Sequence, residues 1–178
     1  MLENLFRKKR RMRVLPDQST REITDAKARL GTELRAALYL YNEDKFIVCS
    51  IAGISEFGDP VVLDANATDE ALGLALCDKL LAFRMKNDQG LSKLKLDDWS
   101  AYKASGAKTG KAFEKKCIYV YVRTVNSAIN IEAAPRISNE KELKALCSIS
   151  NGRKHSEIGA AVRKAIGAAT LLRNAGML

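Results

Sequence analysis

Two helical segments 86 residues apart carry the same pattern. Leu72-Gly73-x-Ala75-Leu76-x-x-x-Leu80 recurs as Ile158-Gly159-x-Ala161-Val162-x-x-x-Ile166. A glycine inside a helix costs about 1 kcal/mol relative to alanine, so a shared glycine in the first turns calls for an offsetting contact. Close approach of each helix to a sheet would supply one. Each helix also follows a short extended stretch, Val61–Leu63 in the first case and Ser148–Ser150 in the second. The repeat therefore predicts two equivalent strand–loop–helix units packed on one sheet.

The rest of the chain supplies that sheet. Glu33 to Tyr41 and Lys45 to Ile54 are β-rich runs joined by the polar turn Asn42-Glu43-Asp44, a hairpin signal. Cys117 to Thr124 and Ala128 to Ala134, joined at Asn126-Ser127, form a second hairpin. In it Ile118, Val120 and Val122 alternate with Tyr119 and Tyr121, so the two sets face opposite ways. Ser19-Thr20-Arg21-Glu22 is a capping-box pattern that opens a helix over 19–30. Thr68 caps the next helix, over 68–86, and Asp69 and Glu70 complement its N-terminal dipole. Ser55 to Pro60 reads as a loop, and a short helix is expected around Lys111–Lys115. Residues 140–147 fit helix or strand, and Ser156 is the expected cap of a helix over 157–172. Trp99 is expected to pin the polar, lysine-rich stretch 87–116 to the body of the domain. The expected organisation is a basic segment, 1–18, and a single α+β domain, 19–178. In that domain 34–41, 46–54, 117–124 and 128–134 share one sheet, covered by the two repeat helices.

Charge is unevenly placed in a chain of net charge +9. Residues 1–13 hold six basic groups against one acidic; residues 14–94 hold nine against thirteen; residues 95–178 hold fifteen against seven. A uniform nucleic-acid binder would not alternate in this way, and the basic tract Arg7–Arg13 lacks interleaved aromatics. A nucleic-acid-associated protein using that tract and the Lys-rich segment 103–116 is the competing reading, but direct nucleic-acid binding is not expected. No apolar run reaches the ~18–20 residues of a membrane span, and the start shows no secretory h-region. A cytoplasmic location with no membrane partner is expected. Cys49, Cys77, Cys117 and Cys147 lie in apolar stretches without a C-x-x-C pair, as reduced and mostly buried thiols would.

Catalytic patterns do not stand out. The only histidine, His155, sits among cations in Arg153-Lys154-His155-Ser156 and reads as a solvated residue at a helix start. There is no nucleophile elbow, Walker loop, dinucleotide fingerprint or His-Glu-x-x-His. The best carboxylate cluster is Asp59, Asp64, Asp69 and Glu70, and two of these already have a reason to stand at a helix start. No enzyme, cofactor or metal is expected, and a binding protein is.

Several of these pieces together resemble a known family. Val61-Val62-Leu63-Asp64-x-x-x-Thr68-Asp69-Glu70-Ala71-Leu72-Gly73-x-Ala75-Leu76 is similar to a signature of immunity proteins of bacterial contact-dependent growth inhibition systems. In the same order follow Trp99, Ser105-Gly106-x-Lys108-Thr109-x-Lys111-Ala112-Phe113, Ile129-x-Ile131-x-x-x-Pro135 and Glu157-Ile158-Gly159-x-Ala161. The likeness spans roughly residues 34–170; the basic head and the helix at 19–30 depart from it. It implies a central, largely antiparallel sheet with helices packed around it. It also implies a cytoplasmic antidote that binds the C-terminal toxin domain of a large exported adhesin one-to-one. Such toxins are often nucleases, and the antidote occludes the active site without chemistry of its own. Because each antidote matches one toxin, no binding residue carries over.

Charge complementarity then suggests where contact would fall. Against a basic toxin the candidates are Glu43, Asp44, Glu56, Asp59, Asp64, Asp69 and Glu70. Against an acidic one, the basic second half should face the partner. Glu56 and Asp59 are expected to form an exposed acidic pair with no packing role.

Overall fold

A computed structural model describes residues 18–85, 99–137 and 143–176. The basic tract 7–13 and the stretch 86–98 lie outside those residues. The described elements run α1 (Gln18–Leu30), β1 (Arg35–Tyr41), β2 (Lys45–Ala52), β3 (Ser55–Asp64), α2 (Asp69–Leu81), α3 (Ser100–Ser105), α4 (Gly110–Lys116), β4 (Cys117–Val125), β5 (Ala128–Ala134), β6 (Ala145–Ser150) and α5 (His155–Asn174). The strands form one antiparallel sheet in the order β3-β2-β1-β4-β5-β6. The protein is thus an α+β fold, as its two hairpins and its helical periodicity predict.

The repeat is real, and it extends well beyond the helices. Each half is a three-stranded meander followed by a helix: β1-β2-β3-α2, then β4-β5-β6-α5. The rung Leu40–Phe46–Leu63 of the first half corresponds to Thr124–Ile129–Ile149 of the second. Leu63 and Ile149 are 86 residues apart, the same interval as Gly73 and Gly159. Since β1 and β4 pair antiparallel at the centre, the halves are related by a two-fold rotation through the Ala37–Tyr121 pair.

Both α2 and α5 cover one face of the sheet. Leu38, Phe46, Val48, Ile118, Val120, Val122, Ile129 and Ile131 rise from the strands into that layer, all essentially fully buried. Leu72, Leu76 and Leu80 of α2, with Ile158, Val162 and Ala169 of α5, meet them. α1 adds Ile23 and Ala26 to the same core. Strands buried on one face by helices alternate in this way because successive side chains point to opposite faces.

The glycines, however, serve a different contact from the expected one. A Cβ on Gly73 would lie 1.9 Å from the carbonyl oxygen of His155, and a Cβ on Gly159 would lie 2.0 Å from that of Asp69. The close approach is therefore helix to helix, with both helices still on the sheet. Asp69 and His155 are themselves equivalent positions of the repeat, so each glycine receives the first residue of the other helix.

Other differences have simple causes. Residues 55–60 belong to strand β3, which bulges between its pairings at Val61–Val48 and Phe57–Ser50; glycine and proline there mark the bulge of an edge strand. α2 stops at Leu81 and not near 86, because Arg84 N–H bonds Ile51 O (3.1 Å) and Gly53 N–H bonds Arg84 O (2.8 Å). α5 begins at His155, two residues before the expected start, with the Glu157 carboxylate accepting the Lys154 N–H at 3.2 Å. Residues 140–142 lie outside the described residues, and Ala145 to Cys147 belong to strand β6. Cys49, Cys77 and Cys117 are buried and Cys147 is partly buried.

Candidate functional site

The seven acidic candidates do not form one site. Asp69 and Glu70 are absorbed by the α2–α5 junction. Arg163 reaches across from α5, its Nε 2.8 Å from Asp69 Oδ1, and donates to the carbonyls of Ala65 (2.8 Å) and Ala67. Its guanidinium also stacks 5.0 Å from the Phe46 ring centroid. Glu70 accepts the Ser156 N–H at 2.9 Å, and its other oxygen lies 3.4 Å from His155 Nδ1. His155 is 6% exposed, which overturns its reading as a solvated residue: the tight crossing at Gly73 draws it under α2.

Glu56 is likewise no exposed loop acid. It stands on β3 facing away from α2 and α5, half-buried, and accepts four hydrogen bonds. Donors are the Tyr39 hydroxyl, Trp99 Nε1 (3.2 Å), Ser100 Oγ (3.0 Å) and Ala101 N–H (3.1 Å). Around it Trp99 and Phe113 meet edge-on at 4.8 Å between centroids, and Tyr39 packs 5.4 Å from Phe113. Trp99 does pin the described part of its segment, 99–116, and Glu56 is the polar half of the pin. Burial, and then the Glu56 charge, push the Tyr39 hydroxyl and the Cys49 thiol well above their ordinary pKa values. These groups stay protonated and inert as nucleophiles near neutrality.

Five acids are exposed: Glu70, at the α2–α5 junction with its side chain 59% exposed, and four that lie outside that junction. Glu43 and Asp44 lie in the β1–β2 turn and Asp64 at the adjoining end of β3, where Asp44 O accepts the Ala65 N–H at 2.9 Å. Asp59 lies farther along β3, its carbonyl bonded by Lys79 Nζ at 2.7 Å. The proposed acid–base cluster thus does not converge: Asp69 is neutralised by Arg163, and Asp64 Oδ1 holds the Asn66 N–H at 2.7 Å. Among the described residues no three metal-ligating side chains gather, and no helix is long and apolar enough to cross a membrane.

A second surface lies in the basic second half, which the sequence offers to an acidic partner without naming residues. Among the described residues, the face of the sheet opposite α2 and α5 is covered by α3 and α4 over its first half only. Over β4, β5 and β6 it presents Tyr121, Arg123, Asn130, Glu132, Leu146 and Ser148, all partly or fully exposed. Arg35 joins them, directly opposite Arg123 across the β1–β4 pairing. The alternation of Tyr119 and Tyr121 with buried Ile118 and Val120 is the signal that marks this face; extended through Arg123 and Glu132, it reads as polar.

This arrangement has solved counterparts. A protein of unknown function from Neisseria meningitidis superposes with a TM-score of 0.58 at 18% identity, over 77% of this chain and 95% of that one. A chain of the CdiA-CT/CdiI toxin and immunity complex from Yersinia pseudotuberculosis superposes with a TM-score of 0.57 at 18% identity, over 76% of this chain and 97% of that one. At that identity the likeness is one of fold, and it takes in nearly the whole of both counterparts. No family model matches the sequence, and no curated protein matches it.

Proposed function

We propose that the protein is an immunity protein. It binds the C-terminal toxin domain, a nuclease, of a contact-dependent growth inhibition adhesin in the cytoplasm, one-to-one, and occludes its active site without chemistry or a cofactor. The observation that carries this reading is the shared fold with a chain of the Yersinia pseudotuberculosis toxin and immunity complex, matched over 97% of that chain. The ordered motifs from Val61 to Ala161 support it independently. The best-placed carboxylates are engaged within the fold, bound to backbone amides and to Arg163.

Of the acidic candidates, Glu43, Asp44, Asp59, Asp64 and Glu70 are exposed and able to meet a basic toxin surface; Glu56 and Asp69 would act through the fold. The test is co-expression with the C-terminal domain encoded by the gene immediately upstream. The expected result is rescue of growth and a complex with a Kd in the nanomolar range, about −12 kcal/mol, since weaker binding would leave a lethal enzyme free. Failure of the two purified proteins to associate overturns the proposal.

A further inference from the structure

The two-fold relation makes the outer face of the sheet a controlled comparison. Tyr39, Ile47 and Cys49, which α3 and α4 cover, are matched in the second half by Arg123, Asn130 and Glu132. The uncovered half is thus polar where its counterpart is apolar, so an apolar helix is not its natural cover. Its charges are also unbalanced. Arg35 and Arg123 are direct cross-strand partners, and like charges so placed are unfavourable. Glu132 lies 3.3 Å from Arg123 and 3.5 Å from Lys144, and Glu33 lies 3.7 Å from Arg123. No carboxylate reaches Arg35 among the described residues, and its Nε, like that of Arg123, is buried without a hydrogen-bond partner among them. Tyr121 stands beside both arginines, and Leu146 is 75% exposed at the rim of the same face.

We propose that this half of the sheet is a docking surface for an acidic protein surface, with a partner carboxylate supplying the counter-charge that Arg35 lacks. Resting on the immunity-protein reading, it places part of the toxin contact on the β4–β5–β6 face, with the acids Glu43, Asp44 and Asp64 at the far end of β1 as a separate contact. Charged contacts of this kind set association rate and orientation more than they set the fold.

Two measurements test it. In the first, the full-length protein and its Arg35→Glu and Arg35→Lys variants are bound to the upstream-encoded toxin domain at low salt. Arg35→Glu should slow association and raise Kd by about tenfold or more, as loss of a steering charge does. Arg35→Lys should stay close to the parent, and thermal melting should show all three equally folded. Tight binding of the parent with an unchanged Arg35→Glu variant overturns the docking surface and leaves the immunity reading intact. If the parent does not bind the toxin domain, the immunity reading fails, and the second measurement decides the surface by itself. There, poly-L-glutamate is titrated into isotope-labelled protein. Amide shifts concentrated at Arg35, Tyr121, Arg123 and Lys144, and lost in Arg35→Glu, support the proposal. Shifts spread evenly over exposed lysines, or a stronger response of the same face to oligothymidylate, overturn it.

Discussion

Glu56 shows how much a single side chain can hold when its partners come from three places. It draws donors from β1, from the residue before α3 and from the first turn of α3, and so ties α3 to the sheet. Removing one partner of a buried hydrogen bond costs more than the bond itself contributes, because the other group stays desolvated. Glu56→Ala should therefore destabilise the protein by about 2–4 kcal/mol, read by urea unfolding with the fluorescence of Trp99, the only tryptophan. Asp59→Lys, three residues away and exposed, should change stability by less than ~0.5 kcal/mol. Tyr39 and Tyr119 add a pH dependence. Burial is the chief cause that raises both, with Glu56 next. A hydroxyl whose folded pKa is raised keeps its proton in the native state while the unfolded chain ionises near 10. Its contribution is complete below pH 10 and is lost as pH rises through the folded value. Stability should thus fall above about pH 10, and Tyr119→Phe should flatten that fall; an alkaline limb identical in both proteins would contradict the assignment.

At the level of elements, α2 and α5 are joined through their first turns. Gly73 and Gly159 admit the backbone of the opposite helix, Glu70 holds the Ser156 N–H, and Arg163 binds Asp69 and the loop that precedes it. Gly73→Ala or Gly159→Ala would place a methyl group within about 2 Å of a carbonyl oxygen, and backbone on both sides leaves little room to yield. Each should cost about 2–4 kcal/mol, since overpacking outweighs the ~1 kcal/mol of helix propensity that alanine brings. Gly167 is the internal control: it lies on α5 with nothing within 4 Å of a Cβ. Gly167→Ala should be neutral or stabilising by up to ~1 kcal/mol, and thermal melts of the three variants decide the matter. The sequence pattern announced that these glycines face something close, because period and small residues are local signals. It could not say that the neighbour is a helix. That depends on the two helices sharing one face of the sheet, which only the pairing of β1 with β4 establishes. Glu56 and His155 differ from their sequence reading for the same reason: both are polar in sequence, and non-local partners cover them, Tyr39 and Trp99 to Ala101 for Glu56 and the first turns of α2 for His155.

On the scale of the whole molecule, the halves are alike in path and unlike in charge and cover. Among the described residues the halves are joined by one strand pairing, β1 with β4, and by the helix crossing above it. Neither half owns a closed core. Leu38 and Val48 of the first half and Val120 and Ile131 of the second are essentially fully buried under two helices, one from each half. A half-molecule would expose the inner edge of its sheet and about half of that apolar layer. Three strands and one helix of roughly 60 residues are marginal even when well covered. Residues 18–85 made alone should therefore lack a cooperative thermal transition by circular dichroism, and so should residues 99–178. Mixed at equal concentration, the two should regain one, with a midpoint that rises with concentration because association now contributes to stability. The two-fold relation sets a further condition. If the halves are equivalent as scaffolds, Gly73→Ala in the first fragment and Gly159→Ala in the second should weaken reassembly to a similar degree, since each blocks one of two matching contacts. A fragment that melts cooperatively alone, or a reassembly sensitive to only one of the two substitutions, would show that one half carries the fold and the other is mounted on it.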